Sequence, residues 1–364
     1  MMIVSLCLCA QEMSPTDVIN LMRKADNGDY VAQFKLGQMY LDGRVVKKDE
    51  AKGVELIMKA AEPGDHHIHW FVGFMYQFGK GVTQDYAKAV EWYRKSADKG
   101  YDLAQYRLGT IYSTLYPNNN DVAKDDTKAV ELWIKAAEQN HRDAQCDLGR
   151  MYYNGKGVAK DEAKAVEWLR KSADQGNARA QLNLGLVYVI AKDEAKAVEW
   201  FRKSAEQGNA DAQFNLGFAY FNGKGVAKDE AKAVEWFRKS ADQGSADAQS
   251  FFGWMYYNGK GVAKDEVKAV EWYKKAAEQG NTRAYNALAY MEANKDNYDA
   301  AIATVDKAIQ LEPNNPNYYD SKGEFLYKKG DKEGAKAMWD KVISLDPKFG
   351  DKKSNLYKLL FPSN

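Results

Sequence analysis

The sequence contains few cysteines, few prolines and no long apolar run. Its three cysteines are Cys7, Cys9 and Cys146, and neither their number nor their spacing indicates a disulfide framework or a zinc motif. No segment is long and apolar enough to cross a bilayer as a helix. The sequence also lacks an excess of either charge. It contains 52 lysines and arginines and 51 aspartates and glutamates, which gives a formal net charge of +1. This balance argues against a general affinity for nucleic acid or acidic membranes.

The N-terminal stretch permits two interpretations. Residues 1–10 are apolar but too short to span a membrane, and no lysine or arginine precedes them. If they are the end of an export signal cut after Ala10, the protein is exported or periplasmic. If residues 1–13 are instead a disordered tail, we expect a cytoplasmic protein. Cys7 and Cys9 are weaker candidates for lipid attachment.

What the sequence does contain is a repeated motif. Lys-Ala-Val-Glu, followed by Trp or Leu, occurs six times, and Ala51-Lys52-Gly53-Val54-Glu55 is a weaker copy. The copies recur every 32–40 residues, and a period of this length is typical of stacked helical repeats. Such folds present a surface rather than a reaction centre. The six copies begin at Lys88, Lys128, Lys164, Lys196, Lys232 and Lys268.

Each copy predicts one amphipathic helix, here called the B helix. In the copy at Lys232, Asp229 is placed to cap the N-terminus, and Gln243-Gly244 ends the helix. Apolar and small residues recur at helical spacing on one side, including Trp236 and Phe237. We expect the tryptophan position to be core in every repeat. It is occupied by Trp92, Leu132, Trp168, Trp200, Trp236 and Trp272.

A second helix, the A helix, precedes each B helix. Its motif is Ala-x-x-x-Leu-Gly-x-x-Tyr, as in Ala212, Leu216, Gly217 and Tyr220. Glycine inside a helix costs up to about 1 kcal/mol relative to alanine, so we expect Gly217 and its equivalents to leave room for a closely packed neighbouring helix. The two helices would form an antiparallel hairpin, and stacked hairpins would bury the apolar stripes of both.

These motifs resemble the Sel-1-like repeat, a relative of the tetratricopeptide repeat. The resemblance rests on the A-helix motif, on the turn Asn222-Gly223-Lys224-Gly225-Val226 and on the B-helix residues Lys232-Ala233-x-x-Trp236. It covers about seven units. It implies an all-α fold, a right-handed superhelical α-solenoid of antiparallel helical hairpins, and a scaffold rather than an enzyme.

The period changes near the C-terminus. Pro313 and Pro347 lie 34 residues apart, which resembles ordinary tetratricopeptide repeats. Flanking segments would cap the apolar faces at the two ends. The expected divisions are a capping helix over 14–29, Sel-1-like repeats over 30–280, tetratricopeptide repeats over 281–348 and a capping helix over 349–364.

Two hairpin loops depart from the pattern. The loop at 113–125 is longer and holds Leu115-Tyr116-Pro117-Asn118-Asn119-Asn120, and the loop at 189–192 is shorter and lacks the Asn-Gly turn. We interpret both as ordinary loop variation. The alternative is that the asparagine-rich loop adds a contact edge.

Positions that vary among the A helices predict where a partner binds. Counted from the motif glycine, positions −3, +1 and +4 lie opposite the shared core positions at about 100° per residue. In tetratricopeptide relatives this side lines the concave groove. Aromatic residues with an occasional arginine are favoured interface anchors, and we expect position +1 to be more accessible than −3. The candidate contact residues are Phe34, Gln38, Trp70, Phe74, Tyr106, Arg150, Leu186, Phe214, Phe218, Trp254 and Tyr257.

Signals for other chemistry are weak. His66 and His69 share a helix face, but no third ligand completes a metal site, and a solvated helix start is the simpler interpretation. The repeated Gly-Lys-Gly turn has the wrong spacing for a phosphate loop. No serine-nucleophile motif occurs.

The leading hypothesis is therefore a non-enzymatic adaptor. It would hold a peptide or partner protein in the concave groove, as a monomer, with no cofactor, metal, nucleic acid or membrane span. The alternative is a cell-wall-associated protein of the penicillin-binding or hydrolase type. Sel-1-like proteins linked to penicillin binding carry paired cysteines in each repeat, and this sequence lacks them.

Overall fold

The fold consists of helices joined by turns and short loops. A computed structural model describes residues 13–114, 122–349 and 354–360, and no β-strand occurs among them. The candidate export signal and the asparagine-rich stretch 115–121 lie outside the described residues. The helices are α1 (Pro15–Asp26), α2 (Tyr30–Asp42), α3 (Glu50–Ala61), α4 (His66–Phe78), α5 (Tyr86–Ala97), α6 (Asp102–Ser113), α7 (Asp126–Glu138), α8 (Arg142–Asn154), α9 (Glu162–Asp174), α10 (Ala178–Ile190), α11 (Glu194–Glu206), α12 (Ala210–Asn222), α13 (Glu230–Asp242), α14 (Ala246–Asn258), α15 (Glu266–Glu278), α16 (Thr282–Ala293), α17 (Tyr298–Leu311), α18 (Pro316–Lys329), α19 (Lys332–Leu345) and α20 (Asn355–Leu360).

A helices and B helices alternate along the repeats, as the sequence predicted. Even-numbered helices α2 to α14 are A helices, and odd-numbered helices α3 to α15 are B helices. Helices α16 to α19 form two further hairpins, and α20 packs on α18. The chain divides into two compact units, Met1–Asn183 and Leu184–Asn364, here called unit 1 and unit 2. Within a unit, A helices pack on the B helices before and after them, as α8 does on α7 and α9, and α14 does on α13 and α15.

The ends of the repeated helices follow the chemistry of their capping residues. The Asp229 carboxylate accepts a hydrogen bond from the backbone N–H of Lys232 at 3.0 Å, which satisfies one of the free donors in the first turn. At the other end of an A helix, Gly259 adopts a φ of 64°, a left-handed conformation that glycine reaches without a steric penalty. A turn that begins at a left-handed glycine, as at Gly259, therefore brings the next B helix back against its A helix.

The core position of the B helix lies one residue later than the sequence analysis placed it. Phe237 is fully buried, whereas Trp236 is half-buried, with the Lys239 Nζ 4.2 Å from its ring centroid. Trp200 is buried, but the other residues at the tryptophan position are half-buried. These are Trp92, Leu132, Trp168, Trp236 and Trp272.

The glycine of the A helix explains this correction. A Cβ on Gly217 would lie 2.9 Å from the Phe237 ring, so the ring lies directly against the glycine and the two helices approach closely. The residue before Phe237 is turned by about 100° and its side chain reaches the edge of the hairpin. The packing role expected for Gly217 is confirmed. The buried residues that take the Phe237 position are Tyr93, Trp133, Leu169, Phe201, Phe237 and Tyr273.

Candidate partner-binding face

Position +1 of the A helix is accessible in all seven Sel-1-like hairpins. Arg150 and Leu186 are exposed there, and the other five residues are half-buried. At about 100° per residue, positions −2, −6 and +5 lie on the same side of the helix as position +1. We call these four positions the A-helix face. The residues at +1 are Gln38, Phe74, Thr110, Arg150, Leu186, Phe218 and Trp254.

Position −3 is mostly core. Phe34 and Trp70 are only 7% and 9% exposed, and the ring of Phe34 packs edge-to-face on Phe71 with centroids 5.2 Å apart. The prediction that Phe34 and Trp70 line a contact surface is therefore wrong, because position −3 turns toward the neighbouring hairpin. Tyr106 and Phe214 at the same position are half-buried.

Position −2, which the sequence analysis did not single out, belongs to the A-helix face. Of its seven residues only Asp147 is buried. The residue type could have indicated in the sequence that position −2 is accessible, since the position is polar or charged in five hairpins and phenylalanine in two. The residues are Lys35, Phe71, Arg107, Asp147, Asn183, Asn215 and Phe251.

Unit 1 carries an aromatic patch on α4. Phe74 stacks on Trp70 with ring centroids 5.7 Å apart and contacts Phe78 at 4.7 Å. Phe78 is 53% exposed, and the Arg107 guanidinium lies 5.9 Å from the centre of its ring. The patch therefore presents a partly exposed apolar surface beside a cation.

A charged group follows on α8 and the first turns of α10. The buried carboxylate of Asp147 accepts a hydrogen bond from the Tyr106 hydroxyl at 3.1 Å. It also accepts hydrogen bonds from Arg150 at 3.3 Å and from Arg179 at 3.5 Å. We call Arg150 and Arg179 the arginine pair. Gln38 of α2, another candidate contact residue of unit 1, is half-buried.

Apart from Asp147, the side chains of Tyr106, Cys146 and His141 near the arginine pair are neutral at pH 7. Burial, with a contribution from Asp147, raises the pKa of the Tyr106 hydroxyl to about 12. Burial likewise raises the pKa of the Cys146 thiol to about 12, so the thiol is protonated and a poor nucleophile. The pKa of His141, whose ring stacks on Tyr106 at 4.6 Å, is lowered by burial.

Unit 2 carries a larger aromatic cluster on α12 and α14. Phe218 contacts Phe214 and Phe251, with ring centroids 4.9 and 4.6 Å apart. Phe251 stacks on Trp254 at 5.1 Å, and Trp254 meets Phe221 at 5.8 Å. All five side chains are half-buried, so each ring keeps part of its surface in water. We call them the aromatic cluster of unit 2.

Two remaining candidates in unit 2 lie apart from each other. Leu186 is 40% exposed, beside Val189 and Ile190 at 49% and 67%, next to the shortened loop. The Tyr257 hydroxyl accepts a hydrogen bond from the Asn294 amide at 3.1 Å. Leu186 is therefore an apolar surface residue, whereas Tyr257 joins two successive hairpins.

The histidines of α4 are not a solvated helix start. His69 is only 7% exposed, and its Nε2 lies 3.1 Å from the Ala61 carbonyl oxygen. The rings of His66 and His67 are 4.1 Å apart and pack on Tyr101. In the described part of the chain, no three His, Cys, Asp or Glu side chains are grouped to hold a metal ion. None of the described helices has the length and apolar character required to cross a bilayer.

Comparison with known proteins identifies the repeats. The chain is 32% identical to a protective antigen of uropathogenic Escherichia coli that displays an SLR fold, with a TM-score of 0.77 over 90% of this chain and 71% of that one. It is 34% identical to a Sel1 repeat protein from Oxalobacter formigenes, with a TM-score of 0.65 over 78% of this chain and 83% of that one. No curated protein sequence matches it. The Sel1 repeat model matches 31–65, 69–101, 102–141, 142–177, 178–209, 210–245 and 246–281, and a tetratricopeptide repeat model matches 282–315 and 316–349.

Proposed function

The chain belongs to the Sel1 repeat family, and from this premise we propose that it is a non-enzymatic scaffold that binds a peptide or partner protein on the A-helix face. Helical repeat folds of this kind generally serve as protein-interaction scaffolds. In this proposal the ligand lies in a groove lined by A helices, and the protein acts as a monomer.

The aromatic cluster of unit 2 is the observation that carries the proposal. Five aromatic side chains meet on two adjacent A helices while each keeps part of its surface in water. Aromatic side chains lose little conformational entropy on binding and dominate the energetics of protein interfaces. A contiguous, partly exposed apolar surface of this kind marks an interaction site, whereas single scattered apolar residues on a surface do not.

The charge and the side-chain chemistry support a protein partner. A formal net charge of +1 and mixed charges on the A-helix face do not match the basic stripe of a nucleic-acid-binding surface. The one described cysteine is buried, and burial raises its pKa to about 12, which does not suit covalent catalysis. Scaffolding is therefore favoured over the hydrolase alternative.

The test compares two variants that each remove exposed aromatic surface. Phe218→Ala combined with Trp254→Ala removes two rings of the cluster, and Trp236→Ala removes a half-buried ring from a B helix. Partners are captured on the immobilised full chain from extracts of the source cell, identified, and titrated by calorimetry. We expect the double variant to weaken binding at least tenfold, which corresponds to about 1.4 kcal/mol and is less than the loss of a single interface hot spot. We expect Trp236→Ala to leave the Kd unchanged.

Helicity of each variant is checked by circular dichroism before binding is compared. If the folded double variant binds as tightly as the parent chain, the aromatic cluster is not the binding site. A chain that captures no protein under any condition would contradict the scaffold proposal itself.

A further inference from the structure

We propose that the arginine pair of unit 1 is a docking site for an acidic side chain, Asp or Glu, of the bound partner segment. This inference rests on the proposed function and deepens it, because it states the chemistry that the partner must bring to unit 1. It rests on the contacts of Asp147, Arg150 and Arg179.

Asp147 carries a buried carboxylate on the A-helix face. Its exposure is 5%, and a carboxylate removed from water must be matched by charged or hydrogen-bonding partners. Tyr106, Arg150 and Arg179 supply them at 3.1 to 3.5 Å. The carboxylate thereby draws both guanidinium groups to one point of the A-helix face.

The contact with Asp147 leaves both arginine side chains accessible to solvent. The side chain of Arg150 is still 56% exposed and that of Arg179 is 52% exposed. A guanidinium carries five N–H donors, and the distances to Asp147, 3.3 to 3.5 Å, are longer than the roughly 2.7–2.9 Å usual for charge-assisted hydrogen bonds. Donors of both groups therefore remain directed away from Asp147 and toward solvent.

The charges at the site do not cancel. One carboxylate, Asp147, contacts two guanidinium groups, those of Arg150 and Arg179. Because the nearby hydroxyl, thiol and imidazole are neutral at pH 7, the contact set of Asp147, Arg150 and Arg179 carries one excess positive charge. An approaching carboxylate meets two planar guanidinium groups whose positions are partly fixed by Asp147. Planar guanidinium groups bind carboxylates in a bidentate manner. Prior anchoring by Asp147 lowers the entropy lost on binding.

Peptide selection on the intact protein gives a probe that needs no known partner. Random-sequence peptides are displayed and selected on the immobilised full chain, and the tightest are synthesised in pairs that differ by Asp→Asn or Glu→Gln. The same pairs are titrated against the parent chain, Arg150→Gln combined with Arg179→Gln, and Arg150→Gln alone. Arg283→Gln is the matched control, since Arg283 on α16 and Arg179 on α10 are each the second residue of the first helix of their hairpins, and Arg283 is exposed in unit 2.

We expect the acid-to-amide change to weaken binding to the parent chain about tenfold, as for one charge-assisted hydrogen bond. The loss should shrink to within about twofold in the double variant, because the partner of the carboxylate is gone. Arg283→Gln should retain the full loss. Arg150→Gln alone leaves Asp147 its bonds to Arg179 and Tyr106 and is the variant to use if the double variant does not fold; it should lose part of the acid dependence.

Several outcomes would overturn the inference. An equal acid-to-amide loss in the parent and both arginine variants would place the acidic residue elsewhere. Selected peptides without acidic residues, or whose free C-terminal carboxylate alone carries the effect, would also overturn it. Peptides that depend on Phe218 and Trp254 but not on an acid would leave the scaffold proposal standing and remove only this inference, whereas the failure of every selection would contradict both.

Discussion

The same position of two A helices carries opposite chemistry in the two units. Position −2 is Asp147 in unit 1 and Phe251 in unit 2. Asp147 is buried under hydrogen bonds from Tyr106 and the arginine pair, whereas the ring of Phe251 lies 4.6 Å from both Phe218 and Phe237. The hairpin backbone accommodates both because position −2 is not one of the shared positions of the A-helix motif Ala-x-x-x-Leu-Gly-x-x-Tyr. The comparison shows how one repeat scaffold can offer a charged contact in one unit and an apolar contact in the other.

The cores beneath the two faces, by contrast, follow one rule. Leu169 packs against Gly149 in unit 1 and Phe237 packs against Gly217 in unit 2, with a Cβ on either glycine reaching 2.7 to 2.9 Å from the facing side chain. Unit 1 and unit 2 therefore differ in surface chemistry while they share the packing of A helix on B helix. Substitutions in the core should therefore act alike in both units, whereas substitutions at position −2 and a change of pH should act differently in the two units.

The largest effect should come from the shared core. We expect Leu169→Ala to lower the free energy of unfolding by about 2–5 kcal/mol and Phe237→Ala by about 3–5 kcal/mol, the usual range for buried truncations. Because repeat proteins unfold locally, hydrogen exchange should show the loss of protection mainly in the unit that carries the change. Trp236→Ala, one residue away and half-buried, should cost about 1 kcal/mol or less. A larger loss for Trp236→Ala than for Phe237→Ala would contradict the packing described.

An intermediate effect is expected at position −2. Asp147→Ala removes the acceptor of three side chains and should cost about 1–3 kcal/mol. Phe251→Ala should cost about 2 kcal/mol, below the range for a fully buried phenylalanine. Denaturant unfolding in low and high sodium chloride separates the two, since salt screens charge interactions and not apolar packing. The loss of unfolding free energy caused by Asp147→Ala should be smaller in high salt. An equal decrease for Phe251→Ala would contradict the difference in chemistry between the two units at position −2.

The smallest effect should come from acid. All four histidines lie in unit 1, and burial lowers the pKa of His66, His69 and His141. The unfolded chain therefore binds protons more readily than the folded one, so unit 1 should lose stability as the pH falls through about 6.5, the ordinary histidine pKa, toward the folded pKa. In unit 2, burial raises the pKa of Asp320, and that carboxyl contributes the opposite slope.

Hydrogen exchange at two pH values, corrected for the intrinsic exchange rate, measures this difference. We expect protection in unit 1 to fall between about pH 7.5 and pH 5.5, a window around the ordinary histidine pKa, while protection in unit 2 holds or rises. His141→Gln should remove part of the slope in unit 1. Equal slopes in the two units would show that the histidines are not its source.

Much of the fold could be predicted from the sequence, because its signals are local and repeated. The glycine of each A helix, the aspartate that starts each B helix and the spacing of the copies identified hairpins, and Gly217 and Asp229 take the roles expected of them. Rotation about the helix axis was harder to predict. Trp236 and Phe237 are adjacent on one apolar stripe, and the sequence does not say which faces Gly217. Phe34 and Trp70 were misplaced for the same reason.

The architecture follows from local sequence signals: the repeated A and B helices, the capping residues and the family to which they belong. These depend on periodicity and backbone preference, which act within a few residues of each other. Which variable positions meet depends instead on how the hairpins pack. Asp147 and Arg179 lie on different A helices, as do Phe218 and Phe251, and each contact exists because a neighbouring hairpin packs at a particular distance and rotation. Side-chain neighbours across hairpins depend on that packing, so the charged and aromatic sites became visible only in the folded chain.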